Sequence, residues 1–269
     1  MDNHADKLFE LTKKQVLFFD LDGTTYLGDT LFNGVQELIK ILRKQQKNFY
    51  FLSNNSSIST EDYLKKLNKF ELNIDQNNII LSQHPTINYL KKHNFKNIFL
   101  LGTQSLKTEF SNEGFILTED NPEILVLAFD QELTYERLVK ASYLLQKKNF
   151  PYIATHLDNR CPTENGYIPD AGGIAALLFK ATKRMPKVFG KPSKEMLFFK
   201  LNQLDLSPKS AVIFGDRLYT DIKMGIETEV TTCCVLSGET TLEDIKKSEY
   251  KPDFVINGIW DLLDAFNKK

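Results

Sequence analysis

Along the chain, short uninterrupted apolar runs alternate with segments whose apolar residues recur every three or four positions. Val16–Phe19 is apolar at every position, the pattern of a strand covered on both faces of a parallel sheet, and it runs directly into Asp20, Leu21, Asp22 and Gly23. The next segment, Gly34–Gln46, places Val35, Leu38, Ile39 and Leu42 on one face and predicts a helix. A second apolar run, Asn48–Leu52, ends in the small polar residues Ser53, Asn54, Asn55, Ser56 and Ser57. A second helix is predicted over Thr60–Phe70, with Tyr63, Leu64 and Leu67 inward and Ser59 or Thr60 as its cap. Strand followed by helix, twice over, implies right-handed crossovers and a parallel sheet, hence an α/β fold.

The middle of the chain has its own alternation. Strand-like pieces over 97–102, 123–129 and 151–155 are interleaved with amphipathic segments near His84–His93, Thr103–Glu113, Thr134–Lys148 and Ala171–Thr182. Periodicity alone fits either a continuation of the first sheet or a second, separate one. The last third returns to the opening style. A turn at Gly190-Lys191-Pro192-Ser193 leads into a helix, Ala211–Gly215 reads as a buried strand with a Gly-Asp turn and a helix behind it, Thr231–Val235 as a strand opening into a loop, and 253–266 as a short strand and helix.

A chain of 269 residues allows one large domain or two modest ones. Its 34 basic and 35 acidic residues nearly cancel, which argues against a nucleic-acid-binding surface or an acidic tail and leaves room for a small anionic metabolite bound at a local site. The first fifteen residues are charged and lack the apolar stretch of a secretory signal, and no segment approaches the roughly 18 apolar residues of a membrane span. A soluble, cytoplasmic protein without membrane partners is the expectation. Cys161, Cys233 and Cys234 fit no metal or redox spacing and read as packing residues in a reducing compartment.

Four polar clusters share one address, the end of an apolar strand or the turn beside a helix start: Asp20 with Asp22, Ser53-Asn54-Asn55, Lys191, and Asp216 with Asp221. Each has a plain explanation when taken singly. Asp and Ser side chains cap turns and helices, and a lysine is ordinarily solvated. In a parallel sheet, however, ligands bind beyond the carboxyl ends of the strands, so clusters at those ends converge. Clustered carboxylates there need a counter-charge, and hard oxygen donors suit Mg²⁺ together with substrate phosphate oxygens. A nucleophile, a divalent metal and cationic or hydrogen-bonding groups are the requirements of phosphoryl transfer.

The segments DLDGTTYLGD, FLSNNSS, GKPS and VIFGDRLYTDIKMG resemble, in this order, the four motifs of the haloacid dehalogenase superfamily, and specifically of its NagD-like, p-nitrophenyl phosphatase branch. The middle of the chain is similar to that branch's inserted cap. The resemblance implies a Rossmann-like parallel-sheet core formed by residues 1–82 and 187–269, with an α/β cap inserted over 83–186. It also implies roles. Asp20 is the nucleophile that becomes an aspartyl phosphate, and Asp22 is the acid that protonates the leaving alcohol and the base that activates water. Mg²⁺ is held by Asp20, the carbonyl of Asp22 and Asp216, with Asp221 beside them. Ser53, helped by the amides of Asn54 and Asn55, binds phosphoryl oxygens, and Lys191 neutralises their charge. Thr155-His156-Leu157-Asp158 stands where relatives often carry Thr-Asn-Pro-Asp, so the specificity loop is not standard. His156, Asp158 and Arg160 are its candidates for touching the leaving group, a structural histidine and a solvated arginine being the alternatives.

The function expected is therefore a Mg²⁺-dependent phosphomonoesterase acting on small phosphorylated metabolites, nucleoside monophosphates or sugar phosphates, in a protein for which such relatives imply a homodimer. A mutase would keep the same groups, but the stretch between Asp22 and Ser53 is too short for the cap that mutases insert there. A dehalogenase would lack the acid at Asp22. A phosphate-sensing module with little turnover is the reading outside catalysis, and Asp22 argues against it, because a carboxyl there serves chiefly to release the leaving group and activate water.

Overall fold

The computed structural model describes residues 3–163 and 165–267. The chain forms two compact units. The first comprises Met1–Ser53, Leu64–Ile80 and Leu197–Lys269, the second Asn54–Tyr63 and Leu81–Met196.

In the first unit six strands form one sheet, in the order Phe254–Ile256, Thr231–Val235, Ala211–Gly215, Val16–Asp20, Asn48–Ser53 and Ile79–Leu81. The pairings from Phe254–Ile256 across to Asn48–Ser53 are all parallel. Val16–Asp20 lies centrally because its apolar run has no polar face to give to solvent: Val16, Leu17, Phe18 and Phe19 are all fully buried. Phe19 stacks on Phe214 of one neighbour with ring centroids 4.9 Å apart, and Phe18 meets Tyr50 of the other at 5.8 Å. These contacts lock three strands side by side.

From Val16–Asp20 the chain moves first to Asn48–Ser53 on one side, then returns to Ala211–Gly215 on the other. This reversal is the switch point at which α/β sheets open a crevice. Phe19 pairs with both Phe51 and Phe214, so Asp20 is level with Leu52 and Gly215, and Ser53 and Asp216 each lie one residue beyond. The predicted Gly34–Gln46 helix spans Val35–Lys44 with Val35, Leu38, Ile39 and Leu42 buried. An Asn3–Thr12 helix, which the charged N-terminal segment did not suggest, buries Leu8 and Leu11 and packs on the terminal Leu262–Asn267 helix.

The second unit carries a separate five-stranded parallel sheet, in the order Lys187–Val188, Tyr152–Ala154, Ile124–Leu127, Asn97–Leu101 and Ile116–Leu117. The two alternatives left open for the middle of the chain thus resolve to two sheets. The helices run over Gln83–Lys92, Gln104–Asn112, Tyr135–Gln146 and Ala171–Thr182, within two residues of their predicted limits. Among the features outside the sequence reading, Ile116–Leu117 adds a strand beside Asn97–Leu101. Lys187–Val188 pairs with Tyr152–Ala154, and Arg160–Thr163 forms an antiparallel hairpin with Gly166–Pro169.

Candidate active site

The first unit brings together the acidic residues that the motifs singled out. One carboxylate oxygen from each of Asp20, Asp216 and Asp221 lies within 4.8 Å of the others, and all three side chains are buried. The reason is local at each position. Asp20 ends the central strand, and its carbonyl accepts a hydrogen bond from the Thr25 hydroxyl at 2.7 Å. Asp216 follows the Ala211–Gly215 strand, and its Oδ2 accepts the Glu239 amide N–H at 2.7 Å. Asp221 sits in a π-type turn over Leu218–Ile222, which widens the entry to the Lys223–Thr228 helix, and its Oδ2 accepts the Thr220 hydroxyl at 3.0 Å.

Glycines form the slot for these carboxylates. A Cβ on Gly23 would lie 2.3 Å from Asp216 Oδ2, one on Gly238 would lie 2.0 Å from the same atom, and one on Gly215 would lie 2.3 Å from the Asp221 Cβ. Gly23 also has a left-handed φ of 84°, so its place in the loop needs glycine for two reasons. Two like charges 4 Å apart repel by roughly 4 kcal/mol at an effective dielectric near 20. Three buried carboxylates at such spacing call for a cation, and an all-oxygen donor set fits a hard divalent ion. The same negative charge reaches the next strand: burial, then the fields of Asp216 and Asp221, push the Cys234 thiol up to about 12, leaving it a protonated packing group.

Asp22 is half-buried two residues beyond Asp20, and its Oδ2 accepts a hydrogen bond from the Tyr26 hydroxyl at 3.2 Å. Ser53 ends the neighbouring strand and is buried. The remaining residues named by the motifs belong to the second unit. There Asn54 joins two of them. Its Oδ1 accepts the Lys191 N–H at 2.8 Å, while its Nδ2 donates to the Lys191 carbonyl at 3.0 Å and to Asp158 Oδ1 at 3.1 Å. Gly190 permits this approach, since a Cβ there would stand 2.6 Å from Asn54 Oδ1. Lys191 is itself buried and precedes Pro192 through a cis peptide bond. The Asn55 side chain closes a turn onto the Ser57 N–H and hydroxyl.

His156 is fully buried. Its Nε2 pairs with Asp170 Oδ1 at 2.9 Å and its Nδ1 with the Thr155 hydroxyl at 3.1 Å. Burial works against a charged ring, but the hydrogen bond and charge of Asp170 outweigh it and raise the His156 pKa. Asp170 caps the Ala171–Thr182 helix, and the Gly172 N–H donates to the Asp158 carbonyl at 2.8 Å. His156, Asp158 and Asp170 have donor atoms mutually within 4.8 Å, yet protein partners already occupy both ring nitrogens, so the trio reads as a hydrogen-bonded support for the 157–159 loop and not as a metal centre. The exposed Arg160 has its guanidinium 4.0 Å above the Tyr167 ring across the hairpin.

Comparison with known proteins identifies the family and the fold. A family model described as haloacid dehalogenase-like hydrolase matches residues 17–116, and a HAD-hydrolase-like model matches residues 188–262. A 4-nitrophenylphosphatase from Thermotoga maritima shares the fold with a TM-score of 0.89 and 39% identity, covering 94% of this chain and 97% of that one. The sugar-phosphatase AraL of Bacillus subtilis is 34% identical over 250 residues, 91% of either chain. A glycerol phosphate phosphatase from Mycobacterium tuberculosis, solved in complex with magnesium, has the same fold with a TM-score of 0.83 at 23% identity, covering 94% of this chain and 76% of that one. The chain belongs to the haloacid dehalogenase-like hydrolases, in their NagD-like branch. Its activity is that of a phosphoric monoester hydrolase. Among the described residues no helix is long and apolar enough to cross a membrane.

Proposed function

We propose that the protein hydrolyses small sugar phosphates through an aspartyl phosphate on Asp20, with Mg²⁺ held by Asp20, the Asp22 carbonyl, Asp216 and Asp221. The observation that carries this reading is the meeting of three buried carboxylates at the carboxyl edge of the sheet's switch point. A divalent ion bound there would supply charge neutralisation for the carboxylates and for the phosphoryl oxygens. The sugar-phosphate class is supported by relatives named for that activity.

The residues then divide the work. An Asp20 carboxylate oxygen forms a bond to phosphorus as the bond to the leaving oxygen breaks, and Asp22 gives that oxygen its proton. Asp22, now a carboxylate, takes a proton from water, whose oxygen attacks the same phosphorus and releases inorganic phosphate from Asp20. The Ser53 hydroxyl and the amides of Asn54 and Asn55 donate to the transferred oxygens. Lys191 supplies positive charge, with its backbone fastened to Asn54. The 83–186 segment is assigned the cap's task of choosing the leaving group, with Asp158 and Arg160 available for contact and His156 setting the loop that carries them.

Two tests bear on this. Purified protein with Mg²⁺ is to be screened for phosphate release from a panel of sugar phosphates, nucleoside monophosphates and amino-acid phosphates. Sugar phosphates should give the highest kcat/KM, and a clear preference for either other class would reject the substrate assignment. In addition, Gly238→Ala pushes a methyl group into Asp216. It should raise the Mg²⁺ concentration for half-maximal activity by about 10- to 100-fold, the range for disturbing the support of a metal ligand, with far-UV circular dichroism unchanged. An unaltered Mg²⁺ dependence would remove Asp216 from the metal site.

A further inference from the structure

We propose that Tyr26 is a positioning residue for Asp22, holding one carboxylate oxygen so that the other is presented to the leaving group. The inference rests on the reading of Asp22 as the acid and base of the reaction. Asp22 follows the end of the central strand and is only half-buried, so without a partner its carboxylate would rotate among several rotamers and the acid would often face away from the substrate.

Tyr26 removes that freedom. Its hydroxyl donates to Asp22 Oδ2 at 3.2 Å. The ring that aims this hydroxyl is fully buried, tilts against Phe70 with centroids 5.4 Å apart, and has the Lys66 ammonium 4.7 Å above its face. The backbone closes the same loop. The Gly23 N–H donates to the Tyr26 carbonyl at 2.8 Å, and the Tyr26 N–H donates to the Leu21 carbonyl at 3.2 Å. Donor and acceptor are therefore both fixed on one short loop, the arrangement that preorganised catalytic groups require.

The consequence concerns which oxygen carries the proton. In the first half-reaction Asp22 is the acid. With Oδ2 engaged as the acceptor from Tyr26, the transferable proton resides on Oδ1, and after transfer Oδ1 is the free base that accepts a proton from water. Tyr26 neither gains nor loses a proton in either step. In kcat/KM, which reports only the steps up to aspartyl phosphate formation, its effect should be confined to substrates whose leaving group needs the acid.

That separation defines the experiment. Tyr26→Phe keeps the buried ring and deletes the hydroxyl. The measured quantity is kcat/KM, with Mg²⁺ present, for p-nitrophenyl phosphate, whose phenolate leaves readily unprotonated, and for glycerol phosphate, whose alkoxide must be protonated to leave. Asp22→Asn is run beside it. General acid–base groups contribute about 10²- to 10⁴-fold, and a mispositioned acid should forfeit part of that. Tyr26→Phe is expected to lose about tenfold or more on glycerol phosphate and less than about threefold on p-nitrophenyl phosphate, with Asp22→Asn showing the same selectivity more strongly. If Asp22→Asn is selective but Tyr26→Phe lowers both substrates equally, or neither, Tyr26 only packs or is dispensable and the proposal is overturned. If Asp22→Asn itself shows no selectivity, the acid assignment has failed first, and the positioning role falls with it.

Discussion

Asp20→Asn should lower p-nitrophenyl phosphate turnover by about 10⁴-fold or more, the scale on which removal of a covalent nucleophile acts, while the protein remains folded. The substitution changes one oxygen to an NH₂ group at constant volume. The neutral amide oxygen is too weak a nucleophile to displace the leaving group, and it no longer contributes a charge to the ion site. It also removes one of three mutually repelling buried carboxylates, so the melting temperature measured without metal should not fall. Steady-state rates with circular dichroism as the folding control decide the matter. Activity within about tenfold of the parent would mean that Asp20 is not the attacking group.

The second large effect concerns the metal. Chelation with EDTA should abolish turnover and added Mg²⁺ should restore it. Mg²⁺ should also raise the melting temperature, since a ligand that binds only the folded state adds about 2.7 kcal/mol at a hundredfold excess over its Kd. Asp216→Asn should separate the two consequences. With less buried like charge, the metal-free protein should melt no lower than the parent, yet its melting point should respond little to Mg²⁺ and its activity should fall by at least about 10²-fold. A parent enzyme that turns over fully in excess EDTA would remove the metal from the account.

The core of this arrangement was legible in the chain because few physical rules produce it. An apolar run with no polar face, Val16–Phe19, has to be a central strand, and the carboxylate after it has to stand at the sheet edge. The same logic placed Ser53 and Asp216. The parts that escaped were those for which pattern is silent. The separate middle sheet has the same periodicity as the first, so nothing in spacing distinguished them. The Asn3–Thr12 helix shows few apolar positions, and among the residues whose burial is described Leu8 and Leu11 are the apolar ones on its buried side. The hairpin over Arg160–Thr163 and Gly166–Pro169 is largely exposed and so carries no alternation to read.

Within the site, residue types were visible and pairings were not. Asn54 appeared as one of several polar residues in a loop, whereas its amide ties together the Lys191 backbone and Asp158, more than a hundred positions away in sequence. His156 appeared as a candidate for the substrate, and its burial against Asp170 turns it toward the scaffold. Gly238 lay in an unremarked loop after the Thr231–Val235 strand, and its missing side chain is what gives Asp216 room. Tyr26 stood inside the first motif as one more aromatic residue, and the hydroxyl it directs at Asp22 is not visible in the pattern.

The most direct measurement on the central claim is to find the covalent phosphate. Enzyme quenched during turnover of p-nitrophenyl phosphate, treated with borohydride and digested, can be mapped by mass spectrometry, because reduction converts an aspartyl phosphate to homoserine. The account predicts homoserine at position 20 and aspartate at positions 22, 216 and 221. Homoserine at one of those other positions, or a full burst of p-nitrophenol with position 20 unmodified, would contradict it.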